Sequence, residues 1–343
     1  MKTFTNPHVA IVGATGAVGT TMLSILEERD FPIASLRLLA SSRSAGNTVE
    51  TTWGSIVIED LATADPAGID IALFSAGGAR SKQYAPKFAD AGVAVIDNSS
   101  AFRMDDDVPL VVAGVNGSAI TSHQGIIANP NCTTMALLMA AGPLHDAAGL
   151  KSMIATSYQS VSGSGKTGMD ELERQMKFFS KDIPALASGD WEDPGGDLYQ
   201  RPIAFNVLPL AGSITDKAYT DEEWKLVNET RKILDRQDIA VEPTCVRVPV
   251  MVGHGIAASM WFDDPVSADA ATEILASTPG VQVWDDTKVP TPLDSAGIDD
   301  VLVGRVRETI GFPGGISLFA SGDNLRKGAA LNAIELAELL LER

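Results

Sequence analysis

The sequence predicts an α/β protein: a doubly wound, Rossmann-type parallel sheet joined to an α+β domain with a mostly antiparallel sheet. Three observations lead there. Short Val- and Ile-rich runs alternate with helical patterns as far as Pro130, as strands buried on both faces require. A glycine-rich turn follows the first of these runs. A chain of 343 residues is too long for one ordinary core, so two domains are expected.

His8–Val12 reads as a strand and Ala17–Arg29 as a helix. Leu36–Ala40, Ile69–Phe74 and Val93–Asp97 read as further buried strands, with a helix over Arg80–Ala91. Beyond Pro130 the texture changes. Ser152–Gln159, Ala240–Val250 and Ile256–Phe262 read as longer, partly alternating strands, and Thr167–Phe179, Glu222–Leu234 and Asp269–Ser277 as helices. Ser188–Gly196 is a loop by composition. The last segment, Leu325–Leu341, has the pattern of one long amphipathic helix. It could pack back onto the first domain, making that domain discontinuous.

Composition excludes several classes. Hydrophobic residues make up 45% and charged residues 20%, as in globular proteins. Acids outnumber bases 44 to 26, a formal charge of -18, which opposes non-specific binding to nucleic acid or anionic membranes. No apolar run approaches the roughly 18 residues of a membrane span. The opening MKTFTNPHVAIVG lacks the basic-then-apolar layout of a signal peptide, so a cytoplasmic protein is expected. The two cysteines, Cys132 and Cys245, form no disulfide framework, and with no CxxC or Cys/His cluster no metal site is expected.

The glycine turn points to a dinucleotide. Strand His8–Val12 runs into Gly13-Ala14-Thr15-Gly16-Ala17-Val18-Gly19 and then a helix. Glycine permits the tight turn and lets backbone approach a phosphate, and the helix start offers free N–H groups to a pyrophosphate. After the second strand an NAD site usually places an acid on the ribose; here the chain reads Ser42-Arg43-Ser44, which suits the 2′-phosphate of NADP.

Cys132 lies in Asn129-Pro130-Asn131-Cys132-Thr133-Thr134. Pro130 disfavours helix at Asn129, and a helical apolar pattern begins at Thr133, so Cys132 belongs at a helix N-terminus. The dipole there stabilises a thiolate, the form that attacks a carbonyl. Cys245, inside an apolar strand, reads as a buried small hydrophobe. A base calls for a group such as imidazole, which titrates near working pH; His8, His123 and His145 read as structural or exposed, and His254 lies near a strand end. Arg247 lies seven residues earlier. Strict alternation would put the two on opposite strand faces, unless Pro249 and Gly253 bend or bulge the chain.

These segments together resemble the aspartate-semialdehyde dehydrogenase family. The resemblance runs over nearly the whole chain, through Ser99–Arg103, Tyr158–Gly163, Glu222–Lys225, Arg247–His254 and Gly322–Gly328. It implies reversible, NADPH-dependent reductive dephosphorylation of L-aspartyl 4-phosphate to L-aspartate 4-semialdehyde through a Cys132 thioester, on the route to lysine, methionine, threonine and diaminopimelate. It singles out His254 as the candidate base, and implies Arg247 on the substrate carboxylate, Glu222 on its amino group and Gln159 orienting it. Arg103 and Lys225 would bind inorganic phosphate, Ser162, Gly163 and Asn324 would line the nicotinamide end of the cofactor, and Asn131 would help orient the intermediate. Residues 1–131 with 323–343 would then form the NADP-binding domain, and residues 132–322 the catalytic and dimerisation domain. A homodimer is implied, in some members paired into a tetramer. N-acetyl-gamma-glutamyl-phosphate reductase shares this plan, although its cysteine usually follows glycine rather than asparagine. A non-catalytic NADP-binding regulator is the alternative from another class.

Overall fold

The computed structural model describes residues 3–341, which divide into two compact units. The first comprises residues up to Gly142, Asn228–Asp238 and the segment from Leu325; the second comprises Pro143–Val227 and Ile239–Asn324. Relative to the expected bounds, the first unit also takes in residues 132–142 and 228–238 and leaves residues 323–324 to the second.

The strands of the first unit are β1 (His8–Val12), β2 (Ser35–Ala40), β3 (Thr48–Thr51), β4 (Gly54–Val57), β5 (Glu59–Asp60), β6 (Ile71–Phe74), β7 (Ala94–Asp97) and β8 (Ile126–Ala128). Six of them form a parallel sheet in the order β5-β2-β1-β6-β7-β8, and β3 and β4 make a separate hairpin. The order reverses at β1, the crevice where open α/β sheets bind ligands. Helices α1 (Ala17–Glu28), α2 (Gly78–Asp90) and α3 (Ala113–Asn116) belong to this unit, and α4 (Cys132–Ala148) starts in it. Alternation splits the core between the sheet faces. Val9 and Ile11 pack with Met22, Ile25 and Leu26 of α1, while Ala10 and Val12 pack with Phe74, Ala85 and Phe88.

The second unit holds β9 (Leu150–Gln159), β10 (Ala240–Arg247), β11 (His254–Phe262), β12 (Val281–Val283), β13 (Val301–Glu308) and β14 (Gly315–Gly322), in the order β10-β9-β11-β14-β13-β12. The sheet is mixed: β9–β11, β11–β14 and β13–β14 are antiparallel, whereas β9–β10 and β12–β13 are parallel. Helices α5 (Gly165–Phe179), α6 (Ile183–Ser188), α7 (Asp221–Ile233), α8 (Ala268–Ala276) and α9 (Pro292–Ser295) follow in chain order, α7 ending in the first unit. Residues 189–196 are irregular, as their composition suggests.

Two expectations need correction. The strand expected over Ala240–Val250 stops at Arg247, because the chain turns away so that the Val250 and Met251 carbonyls accept from Val161 N and Ser162 N. The single helix expected over Leu325–Leu341 is a π-helical turn, Arg326–Ala330, followed by α10 (Leu331–Glu338). Nor is it one-sided: Lys327 is buried against Glu335, and six of the eight residues of α10 are buried.

The turn after β1 depends on glycine at two points. Gly13 has φ +91°, and a Cβ there would lie 2.3 Å from the Ser75 carbonyl oxygen. A Cβ on Gly19 would lie 2.2 Å from the Gly13 oxygen. Alanine at an ordinary helical position improves stability by roughly 0.5–1 kcal/mol. At Gly19 the steric conflict dominates, so Gly19→Ala should lower the unfolding free energy by about 2 kcal/mol or more in urea titration. Gly78→Ala, whose Cβ would meet nothing nearer than 3.9 Å, should stay within about 1 kcal/mol of wild type.

Candidate active site

In the first unit both the glycine turn and Cys132 follow carboxyl ends of the same parallel sheet, the turn after β1 and the cysteine after β8. Three strand spacings separate those ends, about 14 Å. Gly16 is the N-cap of α1 and no side chain caps that helix, which leaves its first N–H groups for an anion. A cavity of about 190 Å³ opens beside Gly13, Thr15 and Gly16, and Ser41, Arg43 and Arg80 line it too. Gly13 and Gly16 line this cavity with backbone alone, beside the uncapped start of α1, so the chain fits a dinucleotide here. Ser44 Oγ lies 3.5 Å from Thr15 Oγ1, whereas Ser41, not Ser42, takes the lining position. Ala17 and Val18 form the first turn of α1, and Val18 also packs on the core.

Cys132 is the first residue of α4 and is partly exposed. Asn131 caps that helix: its Oδ1 accepts the Thr133 N–H at 2.9 Å. Asn131 N in turn donates to Glu229 Oε2 at 2.7 Å, and Glu229 Oε1 accepts from Arg103 Nη1 at 3.0 Å. Arg103 Nε and Nη2 donate to the carbonyls of Asn129 and Asn98. Arg103 and Glu229 are both buried. The arginine assigned to phosphate by resemblance is therefore also a brace for the loop that presents Cys132. Glu229 escaped the sequence reading, because a glutamate in mid-helix carries no local mark of what it meets.

In the second unit several of the expected residues converge at one end of the mixed sheet. Gln159 and Arg247 are register partners at the carboxyl ends of β9 and β10, and His254 opens β11 opposite Gly322. Arg247 and His254 thus sit on separate strands rather than across a bulge. Both approach Gly163, where a Cβ would lie 2.9 Å from Arg247 Nη1 and 3.6 Å from His254 Nε2. Arg247 Nη1 donates to the Ser160 carbonyl at 2.8 Å, and its buried Nε has no partner within this unit. Asn324 Oδ1 accepts from Ser160 Oγ, Ser162 Oγ and Gly253 N, tying the nicotinamide candidates Ser162 and Asn324 to the histidine strand.

His254 is 1% exposed, and its Nδ1 accepts the Ser160 N–H at 3.0 Å. A backbone N–H can only donate, so the neutral ring carries its proton on Nε2. Burial first, and the Arg247 charge second, push the imidazole down to about 3, against a smaller opposing pull from the Gly253 backbone. Titration near neutrality, the reason for choosing His254 from sequence, does not hold in this environment.

Glu222 and Lys225 meet each other, with Asp221 also on the ammonium at 2.8 Å. Burial acts to lower the Lys225 pKa, but the two carboxylates outweigh it and raise it. The next acid has a different task. Glu223 Oε2 accepts the Thr220 N–H while Glu223 N donates to Thr220 Oγ1, a capping box at the start of α7. Cys245 is buried and its thiol is pushed up to about 12, as expected of a core residue. His8, His123 and His145 bond to Ser35, Gly125 N and Leu150 N respectively. Among the described residues no group of three or more His, Cys, Asp or Glu could hold a metal ion, and no helix is long and apolar enough to cross a membrane.

Two outcomes follow. Glu229→Gln leaves Arg103 buried without its counter-charge, so chemical denaturation should show a loss of about 3 kcal/mol. His254 binds its proton more readily when unfolded, near pH 6.5, than when folded, near 3. Its contribution is therefore complete above pH 6.5 and declines as pH falls towards 3. The stability gap between wild type and His254→Asn should shift against wild type by about 1.4 kcal/mol per pH unit between pH 6 and 4, as measured by urea titrations at each pH.

Comparison with known proteins agrees with this arrangement. The description "Semialdehyde dehydrogenase, NAD binding domain" matches residues 8–123, and "Semialdehyde dehydrogenase, dimerisation domain" matches residues 141–327. Aspartate-semialdehyde dehydrogenase of Streptomyces akiyoshiensis is 53% identical over 97% of this chain and 98% of its own length. That of Corynebacterium glutamicum is 51% identical over 97% and 99%. The crystal structure of aspartate semialdehyde dehydrogenase II from Vibrio cholerae, complexed with ASA, is similar with a TM-score of 0.92 and 45% identity, covering 98% of each chain. With a nucleotide cradle, a cysteine opening a helix and nearly full-length likeness to these enzymes, the chain belongs to the aspartate-semialdehyde dehydrogenase family.

Proposed function

We propose that the protein is an NADP-dependent aspartate-semialdehyde dehydrogenase that works through a thioester on Cys132. The observation that carries this reading is Cys132 itself: a partly exposed thiol opening α4 at the carboxyl edge of the sheet that bears the dinucleotide cradle. The helix dipole at the start of α4 favours thiolate.

In the reductive direction the Cys132 thiolate attacks the acyl carbon of L-aspartyl 4-phosphate and expels inorganic phosphate. Arg103 and Lys225 offer the phosphate its cations. When bound, NADPH supplies the hydride that reduces the thioester. Arg247 grips the substrate α-carboxylate; its partnerless buried Nε supports this, because a carboxylate would complete the fork. Glu222 takes the amino group and Gln159 orients the chain of the substrate. His254 supports the acyl oxygen from Nε2–H as negative charge develops there. That donation needs no titration, so a neutral ring suits the task. Collapse of the tetrahedral adduct returns the thiolate and releases the aldehyde, with no net proton required of His254.

NADP rather than NAD is supported by Arg43 beside the cavity and by the absence of an acid after β2. We place the enzyme in the cytoplasm, on the route to lysine, methionine, threonine and diaminopimelate, as a homodimer, the unit from which a tetramer would be built. The matched dimerisation description supports the dimer, as do Ile154 and Tyr158 exposed on one face of β9.

Phosphate-dependent reduction of NADP by aspartate semialdehyde tests the reading. Wild type should turn over; Cys132→Ser should retain less than about a thousandth of that rate. Arg247→Lys should raise the Michaelis constant roughly tenfold or more. Turnover of N-acetylglutamate semialdehyde in place of aspartate semialdehyde, or full activity in Cys132→Ser, overturns it.

A further inference from the structure

We infer that Arg80 is a second arginine of the adenosine 2′-phosphate subsite, acting with Arg43 to select NADP over NAD. The inference rests on the NADP reading proposed above and concerns a residue that the glycine motif does not include.

Arg43 follows β2, and Arg80 lies in the first turn of α2, 37 positions later. The fold brings both to the wall of the cavity beside Gly13 and Gly16. Neither forms a salt bridge among the described residues. Arg80 Nη1 has one long bond, 3.3 Å, to the Ala76 carbonyl. In a chain with a formal charge of -18 this is unusual company for arginine. Arg29, Arg37, Arg103 and Arg326, in the same unit, each hold a glutamate. Leaving two guanidinium groups without carboxylates at one cavity keeps their donors available for an anion.

The remaining wall says which anion. The turn glycines and the α1 N-terminus suit the pyrophosphate, so the side facing β2 falls to the adenosine ribose. There the chain has Ala40 and Ser41, and no carboxylate lines the cavity to bind a free 2′-hydroxyl or repel a 2′-phosphate. Two planar cations approaching from different elements, the loop after β2 and the start of α2, suit a dianionic phosphate better than one. Because Arg80 is exposed and braces no other element, its removal should leave the fold intact.

The test is ligand binding to the intact protein, independent of turnover. Adenosine 2′,5′-bisphosphate and 5′-AMP are titrated by calorimetry into wild type, Arg43→Gln, Arg80→Gln and Arg80→Lys, with thermal unfolding as a check on folding. Wild type should prefer the bisphosphate. Arg80→Gln should weaken the bisphosphate roughly tenfold and leave 5′-AMP unchanged, with Arg80→Lys in between. If wild type does not distinguish the two ligands, the NADP reading fails and the inference falls with it. If wild type distinguishes them and only Arg43→Gln loses the preference, the NADP reading stands and Arg80 is not part of the subsite. Equal weakening of both ligands by Arg80→Gln also overturns the assignment, since the side chain would then serve the part they share.

Discussion

Glu229 puts one carboxylate under the loop that presents Cys132, and much of the first unit's chemistry depends on it. One oxygen takes the Arg103 guanidinium and the other takes the Asn131 N–H, while Asn131 caps α4 from its side chain. Buried charges are costly to desolvate, and they persist where the geometry lets each satisfy the other. Here Arg103 also reaches two backbone carbonyls, at Asn98 and Asn129, so the pair secures the chain on both sides of Pro130. A buried asparagine network continues the same job. Asn129 bonds to Asn98, to Asn332 of α10 and to the Ala329 carbonyl. The direction of the first turn of α4, and with it the dipole felt by the thiol, is therefore set by polar contacts rather than by packing alone.

The second unit solves a related problem with strand ends. Parallel β9 and β10 deliver Gln159 and Arg247 side by side, and antiparallel β11 begins where β9 stops, so His254 enters at the same edge. Ser160 serves both functional groups, its carbonyl holding Arg247 and its N–H holding the histidine ring. A cation and an imidazole this close, both buried, cannot both be charged at modest cost. The imidazole yields, because guanidinium does not deprotonate in the accessible range.

Local patterns made much of this legible. Gly13 to Gly19 reads as a phosphate turn because it lies between a strand and a helix, and Cys132 reads as a helix start because Pro130 disfavours helix at Asn129 while a helical pattern begins at Thr133. Strands β1, β2, β6 and β7 are visible as compact apolar runs. Strands β13 and β14 are not. Gly304 interrupts the first, its pairing with β14 slips between Gly304 and Arg307, and Gly315–Gly322 mixes small and apolar residues without alternation. The stop of β10 at Arg247 was also hidden, since Val248 and Val250 continue its apolar pattern although the Val250 and Met251 carbonyls accept from Val161 N and Ser162 N instead. The π-turn at Arg326–Ala330 was hidden for another reason: helical periodicity does not reveal whether a buried lysine will find its carboxylate.

The sequence by itself determined the elements whose causes are local: the glycine turn, the capped start of α4, the buried strands of the first sheet and the family likeness spread along the chain. Tertiary structure decided what required distant residues to meet. It set Glu229 beneath Arg103, kept His254 neutral beside Arg247 and brought Arg80 to the wall shared with Arg43. The physical reason is that hydrogen bonds, burial and charge depend on separation in space, and a residue's neighbours along the chain seldom report which partners folding will place against it.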